Sequence, residues 1–374
     1  MIISENIALK NYNTFGITAN ARFFCEVATI AELQALVGSD IFKNNTKLFL
    51  GEGANVLLTK DFDGLVVKPS FKGIEVVRET ENEVFVKAFS GENWHDFVMN
   101  CCENNWNGLE NLAYIPGSVG ASPIQNIGAY GVEIKDVMDS LEAFNLDTKQ
   151  IEVFSNLDCK FDYRESVFKH EYKGKYVICS VIFRLSKLPN FNTNYTAVND
   201  ELKRQNVSEL SAKAIANAIT TIRKSKLPDT SEIGSAGSFF KNPAVSQDVF
   251  QTLKKEFPNI VAHPADPLAR TRSLSPSTSL RINSVEVPAS LARTSVRAEN
   301  TQDEPMKLSA GWLIEHAGWK GHRQGDAGVH TEQALVLVNY GNATGAEILN
   351  LAHRIIDSVN AKFGVALTPE VNIL

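Results

Sequence analysis

The stretch from Glu110 to Gly131 constrains the fold more than any other part of the chain. It places four glycines and two prolines in twenty-two positions, yet it keeps the apolar residues Ile115, Val119, Ile124 and Ile127. Glycine lets a backbone adopt positive φ and approach a bound group closely, whereas proline fixes φ. The pattern predicts a rigid, shaped loop with a partly buried underside.

The free backbone amides of this loop, and the amide side chains of Gln125 and Asn126, could face a polar heteroaromatic ligand. A glycine-rich connector without a ligand is the alternative that composition leaves open.

A second loop, Leu50 to Leu57 (LGEGANVL), follows the apolar run that begins at Lys47. A strand that enters a Gly-x-Gly turn exposes consecutive N–H groups, which favour an anion and above all a pyrophosphate. A tight turn is the alternative. The dinucleotide-fold pattern G-x-G-x-x-G is absent, because no glycine closes the spacing. A dinucleotide bound here would therefore need a different fold.

Length and charge exclude several classes of protein. A chain of 374 residues can form two or three domains with a substantial core. Its net charge of −6 argues against general nucleic-acid binding, which needs a basic surface. No secretory signal and no apolar run near the roughly 20 residues of a membrane span is evident. Five irregularly spaced cysteines fit a reducing cytoplasm better than a disulfide framework.

The cysteine pair Cys101-Cys102 invites a metal or redox interpretation, but the local pattern favours a helix core. One helical face carries Trp94, Phe97, Val98 and both cysteines. His95, His330 and His353 have no partners at metal-ligand spacing, so no metal is predicted.

Capping signals and apolar periodicity predict a mixed α/β chain. Helix starts are predicted at Thr29, Ser211 and Thr344, the first and third as capping boxes. A further helix is predicted over residues 308–317. Strands are predicted over residues 22–28, 64–67, 73–77, 84–88, 141–145, 151–154, 176–184, 333–339 and 367–371.

The segment from Ala265 to Pro305 has no lysine and no aromatic residue, and it is crowded with serine and threonine. Such a segment buries too little surface to offset its ordering entropy, so it is predicted to be a disordered insertion.

For several charged or hydroxyl residues, the sequence leaves two interpretations open. Arg164 could be a solvated loop charge or a fork for a carboxylate. Arg223 and Lys226 fit a last helical turn, where cations complement the helix dipole. Ser238 lacks a G-x-S-x-G elbow, so a turn or cap role is the default. Glu370 near the terminus would ordinarily be an exposed charge.

The order of several motifs resembles the UDP-N-acetylenolpyruvoylglucosamine reductase family, flavoenzymes of bacterial peptidoglycan synthesis. The resemblance covers nearly the whole chain except residues 265–305, and the region of Tyr195 resembles a longer subclass with an extra substrate loop. The motifs are NTFGI at Asn13, LGEGANVL at Leu50, GLENLAYIPGSVGASPIQNIGAYG at Gly108, FDYRES at Phe161, KLPD at Lys226, GSFFKNP at Gly237, KLSAGWLIE at Lys307 and PEV at Pro369.

The resemblance implies a mixed α+β and α/β fold with three parts. A two-part FAD-binding unit of the vanillyl-alcohol-oxidase type would span residues 1–60 with 364–374, and 61–227. A third α/β domain for substrate would span 228–363. FAD is the implied cofactor and NADPH the hydride-donating cosubstrate. The implied enzyme is a cytoplasmic bacterial monomer that acts on a small molecule, UDP-N-acetylglucosamine enolpyruvate, and it neither binds nucleic acid nor inserts into a membrane.

The family's functional positions can be set on matching residues of this chain. The resemblance implies Ser238 as proton donor, and Arg164 and Glu370 as groups that stabilise an enolate. The implied substrate-binding residues are Tyr130, Tyr195, Arg223, Lys226 and Asn242. The implied FAD-binding residues are Gly51, Glu52, Gly53, Ala54, Asn55, Val56, Leu57, Ile115, Pro116, Gly117, Gly120, Ala121, Gln125, Asn126 and Gly128.

Two other functions compete with this interpretation. A flavin oxidase or dehydrogenase with another substrate would keep both glycine-rich loops but need not keep the substrate residues together. A flavin- or nucleotide-binding protein without turnover is the other alternative.

Overall fold

A mixed sheet forms the first layer of the computed structural model, which describes residues 1–264 and 305–374. Its strand order is β1-β2-β5-β3, in which β2, β5 and β3 are parallel and β1 is antiparallel. The first strands are β1 (Ile3–Ala8), β2 (Asn20–Val27), β3 (Thr46–Phe49), β4 (Val56–Leu57) and β5 (Phe62–Pro69).

Two helices connect β2 to β3, as a parallel crossover requires. They are α1 (Ile30–Gly38) and α2 (Asp40–Asn44). The Thr29 side chain accepts a hydrogen bond from the Glu32 N–H, which confirms the predicted start of α1. The predicted capping box is not closed, because the Glu32 side chain accepts from the Ala28 N–H instead of the Thr29 N–H.

An antiparallel sheet of order β11-β10-β12-β7-β6 forms the second layer. Its core joins the sheet to three helices, and Trp94, Phe97 and Phe183 lie at its centre. The elements of this part are β6 (Ile74–Glu79), β7 (Glu83–Phe89), α3 (Trp94–Glu103), β8 (Gly128–Ala129), β9 (Val132–Glu133), β10 (Met138–Asn145), β11 (Ile151–Ser155), β12 (Tyr176–Ser186), α4 (Thr196–Arg204) and α5 (Ala212–Lys226).

The third part combines a sheet of order β13-β19-β18-β17 with a small sheet of order β14-β16-β15. Apolar side chains of the last two helices share one core with the first strands of the chain. The elements are β13 (Gly234–Ser238), β14 (Ala244–Val245), α6 (Gln247–Glu256), β15 (Ala262–Pro264), β16 (Met306–Leu308), α7 (Ala310–His316), β17 (Arg323–Gln324), β18 (Ala327–Val329), β19 (Val336–Asn339), α8 (Gly345–Phe363) and β20 (Asn372–Ile373).

The carboxy-terminal segment returns to the first part of the chain. Strand β20 pairs in parallel with β4, so that Asn372 lies opposite Val56. Just before it, Pro369 forms an isolated bridge with Phe240. The last residues therefore tie the loop after Leu50 to the loop after β13.

Most predicted elements are confirmed with bounds that differ by a few residues, and the helix starts at Ser211 and Thr344 are confirmed by their side-chain caps. Cys101 and Cys102 are buried in the core, as predicted.

Three predicted elements need correction. The helix predicted from 308 begins at Ala310, because Ser309 caps it and residues 306–308 form β16. The strand predicted over 333–339 begins only at Val336. The strand predicted over 367–371 is a single bridge followed by β20, and Pro369 lacks an N–H to continue a ladder.

The insertion predicted over residues 265–305 lies outside the described residues, apart from Pro305. Within residues 1–264 and 305–374, no helix is both long and apolar enough to cross a bilayer. The same residues contain no group of three side chains that could hold a metal ion.

The first residue of α8 provides a test of how the last helix docks on the first part of the chain. A Cβ at Gly345 would overlap the carbonyl oxygen of Leu58, whereas a Cβ at Gly38 in α1 meets no atom within 4 Å. We expect Gly345→Ala to lower the free energy of unfolding by about 1–3 kcal/mol through overpacking. Gly38→Ala should leave it unchanged or raise it by up to about 1 kcal/mol.

Urea denaturation of both variants measures the difference. Equal stability of Gly345→Ala and the unsubstituted protein would contradict this packing of α8 against Leu58.

Candidate active site

The loop after Leu50 presents a row of backbone N–H groups to a cleft. Within the described parts of the chain, the N–H groups of residues 51–55 donate to no protein acceptor. These residues line a cleft together with Pro116, Gly117 and Ser118 of the long glycine-rich loop. Consecutive unpaired amides form a concave site for an anion. The arrangement fits a pyrophosphate group.

The conformation of this loop requires glycine at Gly53. Its φ is +64°, and a Cβ there would overlap the backbone oxygen of Tyr12. The Gly53 carbonyl also accepts a hydrogen bond from the Thr14 N–H at 3.2 Å. The NTFGI motif therefore supports the loop from behind, which leaves its amides free on the cleft side.

The long loop is joined to the first loop by a pair of side-chain amides. Nδ2 of Asn55 donates to Oε1 of Gln125 at 2.5 Å. Ile115, Pro116, Gln125 and Gly128 line the next section of the cleft. Gly120 packs so closely on Ser90 that a Cβ would overlap the serine side chain. The predicted FAD-binding residues of the two loops thus line these two sections of the cleft, except Leu57, Gly120 and Asn126, which line neither.

Asn126 is a correction, because its side chain does not face the cleft. The residue is fully buried. Its Nδ2 donates to Oε2 of Glu133 at 3.1 Å and to the Asp162 carbonyl at 3.0 Å, and its Oδ1 accepts from the Lys135 N–H. The donors and the acceptor of this amide are occupied within the protein, so it holds the loop in shape.

Arg164 and Glu370 meet on the wall of the cleft. Nε of Arg164 lies 3.2 Å from Oε1 of Glu370. Nη2 of Arg164 donates to the Gly128 carbonyl at 2.6 Å, and Nη1 to the Asn126 carbonyl at 3.3 Å. These bonds fix the Arg164 guanidinium against the long loop. Its carboxylate partner, Glu370, comes 206 residues later in the chain.

Burial raises the pKa of Glu370 above its usual value, although Arg164, Lys169 and Lys241 pull it down. The net direction is upward, so the carboxyl group holds its proton more readily than an exposed glutamate does.

Ser238 lies at the end of β13 and lines the same section of the cleft as Arg164 and Glu370. The preceding Gly237 has φ +68°, which turns the chain at this point. The N–H of Glu370 donates to the Phe239 carbonyl at 2.8 Å, so the serine segment and the glutamate segment are directly hydrogen-bonded. The structure brings all three predicted catalytic residues together.

The predicted substrate-binding residues divide into two groups. Arg223 lines the cleft, the Tyr130 hydroxyl interacts with it electrostatically, and the rings of Tyr130 and Tyr195 meet edge to face at 5.8 Å. Lys226 is exposed at the end of α5. Oδ1 of Asn242 accepts the Ala310 N–H at 2.9 Å, so this side chain occupies the start of α7.

Sequence reasoning missed a pair of charges beside this site. Oε1 of Glu165 lies 2.5 Å from Nζ of Lys241, and Oε2 of Glu165 lies 2.7 Å from Nε2 of His170. Glu165 follows Arg164 in the FDYRES motif, and Lys241 lies three residues after Ser238 in the GSFFKNP motif. Only the tertiary structure shows that they join the second and third parts of the chain.

Comparisons with known proteins identify the family to which the chain is similar. Residues 21–153 match a family described as an FAD binding domain, and residues 228–374 match the UDP-N-acetylenolpyruvoylglucosamine reductase, C-terminal domain. Proteins named UDP-N-acetylenolpyruvoylglucosamine reductase from Flavobacterium johnsoniae and Amoebophilus asiaticus are 44% and 42% identical, and each alignment covers 100% of both chains.

A crystal structure of the reductase of that name from Thermus caldophilus has a TM-score of 0.63 at 20% identity. The alignment covers 100% of this chain and 99% of that one, and at this identity the likeness concerns the fold. Together the matches confirm the predicted fold class and FAD as the cofactor.

The Glu165–Lys241 pair predicts a pH-dependent contribution to stability. Partial burial raises the pKa of Glu165, but hydrogen bonds from Lys241 and His170 outweigh it, so the pKa is lowered from 4.5. A carboxyl group whose pKa is depressed by folding stabilises the protein above its unfolded pKa and loses that effect as the pH falls. We expect Lys241→Met to lower the free energy of unfolding by about 0.5–1 kcal/mol at pH 7.

The deficit should shrink as the pH falls below about 4.5, the ordinary glutamate value. Urea denaturation at several pH values measures it. Lys43→Met is the matched control, because Lys43 and its partner Asp40 are largely exposed and should contribute little. A deficit that does not change with pH would contradict the ion-pair explanation.

Proposed function

The chain belongs to the UDP-N-acetylenolpyruvoylglucosamine reductase family and is a flavin-dependent oxidoreductase, and we propose that it reduces UDP-N-acetylglucosamine enolpyruvate to UDP-N-acetylmuramate with NADPH in peptidoglycan synthesis. The observation that carries the proposal is that Arg164, Glu370 and Ser238 line the same section of the cleft. A flavin scaffold with another substrate would not need this combination. Cytoplasmic location, a monomeric state and the absence of a nucleic-acid partner follow from the resemblance and stay predictions.

The residues of the two loops fit FAD. The amides of residues 51–55 would hold its pyrophosphate, and the long loop would lie along its ring system, with Ile115, Pro116 and Gln125 on the cleft side. Bound FAD supplies hydride transfer between NADPH and the enolpyruvyl group.

Arg164 would bind the substrate carboxylate. Its Nη1 and Nη2 atoms are anchored on the carbonyls of Asn126 and Gly128, so the guanidinium cannot swing away as charge develops. Addition of hydride to the vinyl group places negative charge on the carboxylate-enolate portion of the substrate. A preorganised cation at that place stabilises the transition state more than the ground state.

Glu370 would act on the same portion of the substrate as a hydrogen-bond donor. Its raised pKa favours the protonated carboxyl, although the nearby Arg164 opposes that form. A neutral carboxyl beside the enolate can donate a hydrogen bond where a carboxylate would repel the charge.

Ser238 Oγ would deliver a proton to the carbon next to the carboxylate. A serine hydroxyl is a weak acid in water, so its neighbours must favour the alkoxide form. Arg164 lines the same section of the cleft, and the charges of Lys169 and Lys241 act on Glu370 there. These cations would favour the alkoxide, although the carboxylates of Glu133 and Glu165 offset part of their charge. The proton transfer then removes the negative charge that hydride addition placed on the carboxylate-enolate portion of the substrate.

The other predicted residues support binding of the sugar nucleotide. Arg223 and Tyr130 offer hydrogen-bond donors at the cleft, and Tyr195 stands against Tyr130 with half of its surface exposed. Lys226 is an exposed cation suited to a diphosphate. The side chain of Asn242 would have to leave the start of α7 to contact a sugar directly, so we assign it the positioning of that helix.

Replacement of the proton donor separates the two half-reactions. We expect Ser238→Ala to bind FAD and to oxidise NADPH at an unchanged rate, because the serine contributes only after hydride has left NADPH. The second half-reaction should slow by about 10²–10⁴-fold, the usual contribution of a general acid. Anaerobic stopped-flow absorbance measures the bleaching of the flavin by NADPH and its recovery with the enolpyruvyl sugar nucleotide.

Ser208→Ala is the matched control, since Ser208 is exposed in the loop between α4 and α5. Loss of both half-reactions in Ser238→Ala, or of neither, would refute the proton-donor role. An unsubstituted protein that bleaches with NADPH but does not respond to the enolpyruvyl sugar nucleotide would refute the proposed substrate.

A further inference from the structure

His95 makes a hydrogen bond that the proposed reaction does not explain. It is the second residue of α3, and its Nδ1 accepts a hydrogen bond from the Tyr114 N–H at 3.1 Å. The imidazole and the Tyr114 ring meet edge to face at 5.4 Å. Because the Tyr114 N–H is the donor, Nδ1 must carry a lone pair, so this contact requires the neutral imidazole.

Tyr114 has a backbone conformation that few residues other than glycine adopt. Its φ is +58°. Both polar atoms of its main chain are held by side chains, because its carbonyl also accepts a hydrogen bond from Nε of Arg223 at 2.9 Å. The next residues, Ile115 and Pro116, line the cleft.

The carbonyl of Tyr114 in turn orients a partly buried cation. Arg223 lines the cleft with Arg164, Ser238 and Glu370, and it interacts electrostatically with the Tyr130 hydroxyl. A partly buried guanidinium is stabilised by fixed partners, and the Tyr114 carbonyl is one of them. A continuous series of contacts therefore runs from the imidazole through the Tyr114 peptide to the cleft.

We propose that neutral His95 is a positioning residue that, through the main chain of Tyr114, fixes Arg223 and the first residues of the long loop for binding of the sugar nucleotide. The reference to the sugar nucleotide rests on the proposed function. The structural part of the inference, a hydrogen bond that holds Tyr114 and Arg223 only while the imidazole is neutral, stands without it.

The groups around His95 make this contact sensitive to pH. Burial lowers the pKa of His95 below its ordinary value of 6.5; Asp96 on the same helix raises it, and Lys224 on α5 lowers it. Arg223 and Asp229 also act on Tyr114, and Nζ of Lys224 lies 5.3 Å from the centre of the Tyr114 ring. A base whose pKa is lowered by folding stabilises the protein above its unfolded pKa and loses that effect as the pH falls.

Two substitutions separate the hydrogen bond from the ring. Oδ1 of asparagine can take the place of Nδ1 and cannot be protonated in this range, so His95→Asn keeps the acceptor and removes the titration. His95→Phe keeps a ring and removes the acceptor. His353→Asn, in the exposed face of α8, is the control for loss of a histidine elsewhere.

Steady-state kinetics from pH 8 to pH 5 and thermal unfolding over the same range provide two independent measurements. As the pH falls, we expect KM for the enolpyruvyl sugar nucleotide to rise in the unsubstituted protein by about 3- to 10-fold more than it rises in His95→Asn. Loss of one hydrogen bond gives a factor of this size. His95→Phe should show that raised KM already at pH 8, with kcat changed much less. The unfolding temperature should follow the same order, and His353→Asn should behave as the unsubstituted protein.

A His95→Phe variant with the KM and the unfolding temperature of the unsubstituted protein at pH 8 would overturn the proposal. So would a His95→Asn variant that keeps the full pH dependence of both. If the protein does not turn over this substrate, the proposed function fails, and the pH dependence of unfolding in the same variants still decides the role of the hydrogen bond.

Discussion

Pairing of the last residues of the chain with two distant loops is the interaction on which the site depends. The N–H groups of Asn372 and Leu374 donate to the carbonyls of Asn55 and Leu57, directly beyond the row of free amides. The N–H of Glu370 donates to Phe239, next to Ser238. Because one short segment makes both sets of bonds, the amide loop, the serine and the carboxyl group are held in one frame, although Ser238 comes 183 residues after Asn55 and Glu370 another 132 residues later.

The electrostatics of the cleft follow from this frame. Glu370 is brought out of water and set against Arg164, and the lysines Lys169 and Lys241 act on it from two different parts of the chain. Their charges are partly balanced by Glu165, which binds Lys241 and leaves the cleft with a cationic wall. Such a wall suits a substrate that carries a carboxylate and a diphosphate, and it stabilises negative charge that appears during reaction. The same few ion pairs therefore affect both the stability of the fold and the reactivity of the cleft.

Local signals in the sequence predicted the local structure well, but they predicted less of the site. Short-range chemistry determines the cap formed by Thr344 and Glu347 and the conformations of the glycines in the two loops. The helix starts and the turns could therefore be predicted directly from the sequence. The grouping of Arg164, Ser238 and Glu370 came from resemblance to a family. No periodicity links residues so far apart. Asn126 was misjudged because an amide in a glycine-rich loop gives no sign of which face it occupies, and its partners Glu133 and Asp162 come later in the chain. The His95–Tyr114 contact could not be predicted either, because no local pattern links a side chain of α3 to a backbone N–H of the long loop.

Hydrogen exchange of the backbone amides of residues 51–55, measured by mass spectrometry with and without FAD, tests the central claim most directly. Without FAD these amides should exchange rapidly, because they have no protein acceptor, while the amides of Asn372 and Leu374 should already be protected. Saturation with FAD should protect residues 51–55 strongly and change the carboxy-terminal amides little. Rapid exchange of residues 51–55 in the FAD complex would show that this loop does not hold the pyrophosphate, and the account of the cleft would then be wrong.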